Sequence, residues 1–175
     1  YKSSPILETV LENLPEEVSR VVLLAGKNRD EIEEYFGSVY LEKALEYISD
    51  DSSGTAAALR KAGDRIGKTF LAVNGHVVSD VDVDEMLETH REENRVATVA
   101  LTTVEEPSEY GVAKLKGRRI LGFEEKPSPG EEPSRLINAG TYILEPEILS
   151  YLEEDSIEEV FENLAHQGDL SGYIY

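Results

Sequence analysis

The chain has no cysteine and no tryptophan among its 175 residues. Disulfides, thiolate nucleophiles and sulfur-ligated zinc are therefore excluded, and any metal must rest on oxygen or histidine. Its three histidines, His76, His90 and His166, form no pair at helical metal-ligand spacing. Positive charge is scarce: 17 Lys+Arg against 36 Asp+Glu leave a net charge of −19 and a pI near 4.5. With no Lys/Arg cluster, the electrostatic footprint of a nucleic-acid binder is missing. No run approaches the ~18 apolar residues of a membrane span, and no signal-peptide pattern is present, so a cytoplasmic protein with no membrane partner is expected. Walker loops, Gly-x-Gly-x-x-Gly and Gly-x-Ser-x-Gly are also missing.

What is present points to a folded globular domain. The chain is 40% hydrophobic with recurrent Val/Ile/Leu runs, which supply a sizeable core, and its length suits one unit. Its acidity, carried by 27 Glu and 9 Asp, fits either an ordinary solvated surface or a saline cytoplasm.

Apolar runs alternate with helical patterns, the signature of an α/β fold with a mostly parallel sheet. A helix is expected from Pro5 with Ser4 as its cap, then a strand buried on both faces over Val18 to Ala25, and a helix from Arg29 to Phe36 closed by Gly37. Val39 to Ile48 reads equally as helix or strand. Thr55 to Ile66 reads as a helix, Phe70 to Val73 as a buried strand, Asp84 to about Asn94 as a capped helix, and Ala97 to Val104 as a β-branched strand. VVLLA, FLAV and ATVALTTV are expected as neighbouring parallel strands. GVAKL and RILGFEE form a hairpin around Lys116-Gly117, followed by a strand over Ile137 to Leu144, helices near Pro146 to Leu152 and Ile157 to His166, and a last strand from Leu170.

Ligands of open α/β sheets gather beyond the carboxyl ends of strands, which singles out Asn74, Gly75 and His76 after FLAV. As a plain loop residue, His76 needs only one local hydrogen bond. Asp80, Asp82 and Asp84 alternate and so line one side of an extended chain, where they could hold a cation or simply cap the next helix. Gly54 and Thr55 open a helix after a loop, offering free N–H groups to an anion or a base edge. Glu125 and Lys126 end a strand, with Pro127 biasing Lys126 towards an extended backbone. Lysine there could hold phosphate while the carboxylate accepts sugar hydroxyls, or the two could be a solvated charge pair. Asn138-Ala139-Gly140 are small enough for a strand to pass close to a ligand, or simply to pack tightly.

The segments GTAAALRKAGD, FLAVNGHVVSDVDVDEMLETH, ATVALTTVEEPSEYGVAKL, RILGFEEKP and INAGTYILEPEIL occur in an order and spacing that resembles the sugar-phosphate nucleotidyltransferases, including glucose-1-phosphate thymidylyltransferases and mannose-1-phosphate guanylyltransferases. The resemblance runs from SPILETVLENL to LSGYIY. It implies a Rossmann-like three-layer sandwich with an antiparallel hairpin insertion. It also implies transfer of a nucleotidyl group from a nucleoside triphosphate to a sugar 1-phosphate with release of pyrophosphate, and admits a homo-oligomer. Carried over by motif, Gly54, Thr55, Asn74 and Gly75 would bind the nucleotide. Tyr110, Gly111, Glu125 and Asn138 would bind the sugar, and Lys126 would bind the sugar phosphate as the catalytic cation.

The departures are specific. Family members open with a strand and a glycine-rich triphosphate loop, whereas this sequence starts at Tyr1 after that point. It also ends before the family's second metal-binding Asp, so residues 1–175 are expected to be a single nucleotidyltransferase-like domain cut short at both ends. Where the family has Asn-Gly-Asp with a magnesium-binding Asp, this chain has Asn74-Gly75-His76. The resemblance thus implies Mg²⁺ with His76 at the metal position, while a neutral imidazole is a poor ligand for a hard cation. Two further readings stand beside the active enzyme: an inactive sugar-phosphate-binding or regulatory subunit, and a glycosyltransferase using Asp80 and Asp82.

Overall fold

A computed structural model describes residues 5–51, 54–153 and 156–175. The expected Ser4 cap and part of the segment before Gly54 lie outside them. Five α-helices, α1 (Ile6–Glu12), α2 (Arg29–Phe36), α3 (Thr55–Ala62), α4 (Val83–Glu93) and α5 (Ile157–Gln167), alternate with nine strands. The strands are β1 (Arg20–Ala25), β2 (Val39–Tyr40), β3 (Lys43–Ser49), β4 (Phe70–Val73), β5 (Ala97–Thr103), β6 (Gly111–Lys116), β7 (Arg119–Glu125), β8 (Leu136–Leu144) and β9 (Leu170–Ile174). The segment Pro146–Tyr151 is a 3₁₀ turn where a helix was expected.

The architecture is the expected α/β class, with a mixed sheet covered on both faces and an antiparallel hairpin. Its neighbours differ from the expected order. β1 lies in a three-stranded sheet of order β1-β3-β2, while β4 and β5 belong to a six-stranded sheet of order β4-β8-β5-β9-β7-β6. β4 and β5 run in the same direction but are not adjacent, because β8 lies between them antiparallel to both. β1 and β4 are therefore edge strands. That explains why their apolar residues, expected to be enclosed on both faces, are mostly half-buried.

Period-two alternation builds the core of the larger sheet. Val99 and Leu101 on β5, with Tyr142 and Leu144 on β8, point to a core shared with Phe161, Leu164 and Leu59 of α5 and α3. Ala100, Ile143 and Tyr173 face the other way, onto Met86 of α4. Burying each large apolar side chain contributes about 1.5–3 kcal/mol, so these two layers hold the sheet flat between helices. Between α4 and the sheet runs a satisfied polar chain. His90, 2% exposed, meets Glu145 at 3.0 Å through Nε2 and Thr98 at 2.8 Å through Nδ1, and Thr98 meets Ser171 at 2.8 Å. Such a network costs little only because every member is paired.

Local chemistry sets two boundaries that the sequence left misread. The ambiguous Val39–Ile48 segment is a hairpin. Leu41 and Glu42 turn at φ 47° and 61°, a primed turn made by residues that carry no turn signal. The cap of α4 is Asp82, whose carboxylate accepts from Glu85 N at 3.0 Å, in place of Asp84.

Candidate active site

The mouth of the β6–β7 hairpin gathers four of the expected residues. Lys126 N donates to Tyr110 O at 3.0 Å, closing the hairpin, and Gly111 pairs with Glu125 across it. This closure overrides the extended bias from Pro127: Lys126 has φ 44°, in the left-handed region. A non-glycine residue there stores strain of about 1–3 kcal/mol, which is retained where the surroundings over-determine the backbone. A Cβ at position 111 would lie 3.1 Å from Glu125 Oε2, so any side chain there would push on the Glu125 carboxylate. The Lys126 ammonium stands 3.9 Å from Glu125 Oε1, with both side chains more than half exposed. A contact that long between solvated groups adds little stability and leaves both free to take a ligand.

One strand away, Val112 pairs with Ile137, which sets Gly111 opposite Asn138 in the antiparallel ladder. Asn138 Oδ1 accepts from Gly140 N at 2.8 Å, and its Nδ2 donates to the Tyr142 hydroxyl at 3.0 Å. Two extra residues of β8 bulge out between the pairs Val99–Tyr142 and Leu101–Asn138, which lets the two side chains meet. Gly140 supplies the bulge with φ 74°.

The same bulge grips the end of β4. Asn74 N donates to Gly140 O at 2.8 Å, and a turn closes with Val77 N on Asn74 O at 3.0 Å. Asn74, Gly140, Asn138, Gly111, Glu125 and Lys126 thus form one continuous line across β4, β8 and the hairpin. Burial drives the Tyr142 phenol up to about 12, with the hydrogen bond from Asn138 pulling the other way. Tyr142 escaped the sequence reading because its role depends on a bulge. The signal was there in Gly140, a glycine inside a strand pattern.

Other candidates stay apart. Gly54, extended at φ −178°, precedes α3, and no described contact links it or Thr55 to this line. His76 is exposed in the turn after Gly75. Among the described residues, no three His, Asp or Glu side chains converge as metal ligands. Asp82 Oδ1 accepts the helix-cap hydrogen bond from Glu85 N, and the described residues do not by themselves assemble the several oxygens in near-octahedral array that magnesium requires. A cleft of about 30 Å³ between α1, β4 and residues 77–83 is lined mainly by valine and leucine and has room for little more than a water. None of the described helices is long and apolar enough to cross a membrane.

The nucleotidyl transferase family profile matches residues 1–175. The bifunctional protein GlmU of Methanococcus maripaludis strain C7 is 33% identical over 97% of this chain and 43% of its own length. Mannose-1-phosphate guanyltransferase of Hypocrea jecorina is 36% identical over 87% of this chain and 46% of its own. The chain therefore spans less than half the length of these relatives. A UTP-bound UGPase from Acinetobacter baumannii superposes with a TM-score of 0.81 at 18% identity, over 97% of this chain and 74% of that one, a likeness of fold. With the profile matching from end to end and relatives above 30% identity across nearly all of it, the chain belongs to the nucleotidyl transferase family, among the sugar-phosphate nucleotidyltransferases.

Proposed function

We propose that the protein transfers a nucleotidyl group from a nucleoside triphosphate to a sugar 1-phosphate, in the cytoplasm. A phosphate oxygen of the sugar 1-phosphate forms the new bond to the α-phosphorus, the bond from the α-phosphorus to the bridging oxygen of the β-phosphate breaks, and pyrophosphate leaves with that oxygen. The protein forms no covalent bond in this scheme. Its part is to position two anions in line and to offset charge.

The observation that carries the reading is Lys126, strained at φ 44° and exposed beside Glu125 over a side-chain-free Gly111. In this reading its ammonium takes the sugar phosphate, Glu125 accepts hydroxyls, Asn138 donates one N–H to the sugar, and Tyr110 closes the edge of the pocket. Asn74 and Gly75 meet the nucleotide from the end of β4, and Gly54 and Thr55 approach its base from the start of α3. The names of the relatives, a guanyltransferase of mannose 1-phosphate among them, support the same chemistry.

His76, a neutral imidazole where the family resemblance implies a magnesium-binding carboxylate, favours a second reading, a family member that binds sugar phosphate without turnover. Incubating the full-length protein with hexose 1-phosphates and each nucleoside triphosphate, and measuring pyrophosphate release alongside calorimetric binding, separates the two. Release with at least one pair establishes the transferase. Sugar-phosphate binding without release establishes the second reading, and no binding of either ligand refutes both.

A further inference from the structure

The hairpin that carries Gly111, Glu125 and Lys126 is fastened lightly to the rest of its sheet. Among the described residues, β6 pairs with β8 only at Val112–Ile137, and β7 pairs with β9 only at Arg119–Ser171. Beyond Arg119 the strand β7 bulges: Leu115 faces Ile120 and Lys114 faces Gly122, so Leu121 is the extra residue. Just past this bulge a side chain takes the place of a strand partner. Phe123 N donates to Glu162 Oε1 of α5 at 2.5 Å. Gly122, at φ 147°, makes room for it, since a Cβ there would lie 3.0 Å from Glu162 Oε2. Glu162 itself stands on a rigid base, because Ile157, Val160, Phe161, Leu164 and Ala165 of the same helix are each at most 2% exposed. A backbone N–H held by a carboxylate is a charge-assisted bond, stronger than a neutral ladder bond. Glu162 thus joins α5 to β7 just before the strand reaches Glu125 and Lys126.

We propose that Glu162 is a positioning residue for the sugar phosphate: its carboxylate pins β7 at Phe123 and so fixes where Glu125 and Lys126 stand relative to Asn138 on β8. The inference rests on the transferase reading for the roles of those three residues. It adds a residue on a helix outside the site that no motif singled out. Without the carboxylate, the Phe123 N–H loses its partner. The mouth of the hairpin is then held to β8 and its approach by the Val112–Ile137 pair and by Ser134 Oγ, which donates to Ala113 O at 2.7 Å. A hairpin free to swing presents Lys126 correctly for only part of the time, and the apparent affinity falls by that fraction. Charge works in the opposite direction. Removing a negative charge from the protein would by itself tighten the binding of an anion, so weaker binding in a Glu162 variant cannot be electrostatic in origin.

The test compares Glu162→Ala with Glu162→Gln in the full-length protein by steady-state kinetics. Glu162→Ala should raise the KM for hexose 1-phosphate about five- to tenfold, as for a hairpin in place about a tenth to a fifth of the time. The KM for the triphosphate and kcat per folded molecule should be nearly unchanged. Glu162→Gln keeps a carbonyl acceptor without the charge, so it should stay within about twofold of the wild type. Gly122→Ala pushes the same carboxylate away and should raise the same KM, which keeps the test open if Glu162→Ala does not fold. A merely structural role would lower the melting temperature and the active fraction and leave both KM values alone. In a Glu125→Ala/Lys126→Ala background the effect of Glu162→Ala should vanish, because the hairpin then has nothing to present. An unchanged sugar-phosphate KM, an equal rise for both substrates, or an equal rise in Glu162→Gln overturns the proposal. If the protein binds sugar phosphate without turnover, calorimetric affinities replace KM with the same expectations. Should it bind neither substrate, the transferase reading fails and takes the sugar-phosphate role with it. Amide exchange read by mass spectrometry then decides whether the tie itself exists: Glu162→Ala speeds exchange over residues 110–113 and 123–126 but not in β5 if it does, and changes neither if it does not.

Discussion

Replacing Gly140 with alanine tests the bulge on which the site depends. Gly140 has φ 74°, and an added Cβ would lie 2.7 Å from Asn74 Nδ2, 3.1 Å from its Cγ and 3.2 Å from its Cβ. The left-handed backbone alone costs a non-glycine residue about 1–2 kcal/mol. Because the clash reaches the Asn74 Cβ, rotating the amide away is not enough. The side chain must shift bodily, an overpacking cost of about 1 kcal/mol more. The sum is about 2–3 kcal/mol. Gly117→Ala provides the control, since Gly117 has φ 63° but nothing within 4 Å of its Cβ position, so only the backbone cost applies. In a protein of this size each kcal/mol lowers the melting temperature by about 2–4 °C. Gly140→Ala should therefore melt about 2–4 °C below Gly117→Ala by scanning calorimetry. It should also weaken nucleotide binding, which Gly117→Ala leaves alone. If both variants melt together and bind the nucleotide alike, Asn74 is not wedged by Gly140 and the continuity of the site is wrong.

Two other outcomes follow from single groups. Lys126→Ala removes a charge-assisted contact of about 1.5–3 kcal/mol, so hexose 1-phosphate should bind at least about tenfold more weakly by calorimetry while triphosphate affinity holds; an equal loss for both ligands would contradict the assignment. The Tyr142 phenol, pushed up to about 12 from 10.0 by burial, makes stability depend on alkaline pH. Below pH ~10 folded and unfolded chains both keep the proton and nothing is lost, whereas between ~10 and ~12 only the unfolded chain releases it and stability falls by about 1.4 kcal/mol per pH unit. Denaturant midpoints should therefore drop more steeply over that window in the wild type than in Tyr142→Phe; parallel curves would show that the phenol ionises normally.

Period and punctuation made much of this legible in the sequence. The helix Arg29–Phe36 with Gly37, the strand Phe70–Val73 and the hairpin around Gly117 are set by local patterns, and the structure keeps them. Strand neighbours were not legible. β8, which follows the hairpin along the chain, lies between β4 and β5, and an apolar run looks the same whether its partner is parallel or antiparallel. The turn at Leu41-Glu42 was hidden for a related reason, because tertiary pairing of β2 and β3 imposes positive φ on residues that do not seek it. At the site, the sequence yielded residue types at strand ends. The hydrogen bond between Asn138 and Tyr142 needed the bulge at Gly140, and the φ of Lys126 needed its hydrogen bond to Tyr110, both long-range facts.

The two sheets bear on the two halves of the site unequally. In the larger sheet, β8, β5, β9, β7 and β6 close into a ring, since β6 also pairs with β8, and the sugar-phosphate residues lie on that ring. β1 and β4 each have a partner on one side only among the described strands, and the sheets they belong to are joined by helices. Leu7 and Leu11 of α1, with Leu14 just after it, share an apolar cluster with Val21 and Leu23 of β1, and Leu7 also reaches the turn at Gly75. On the opposite side α3 touches β1 while its Ala56 and Leu59 join the core of the larger sheet. Helix contacts can hold two sheets together, but the outer edges of β1 and β4 have no ladder partner among the described strands, which favours local opening or pairing with another strand. Gly54 and Asn74, proposed above to meet the nucleotide, follow β3 and β4, one in each sheet. Amide exchange should then be slowest in β5 and β8 and fastest among the strands in β1 and β4, and binding of a strand along either edge should slow it there. Uniform protection across both sheets would mean that α1 and α3 alone make them a single cooperative unit.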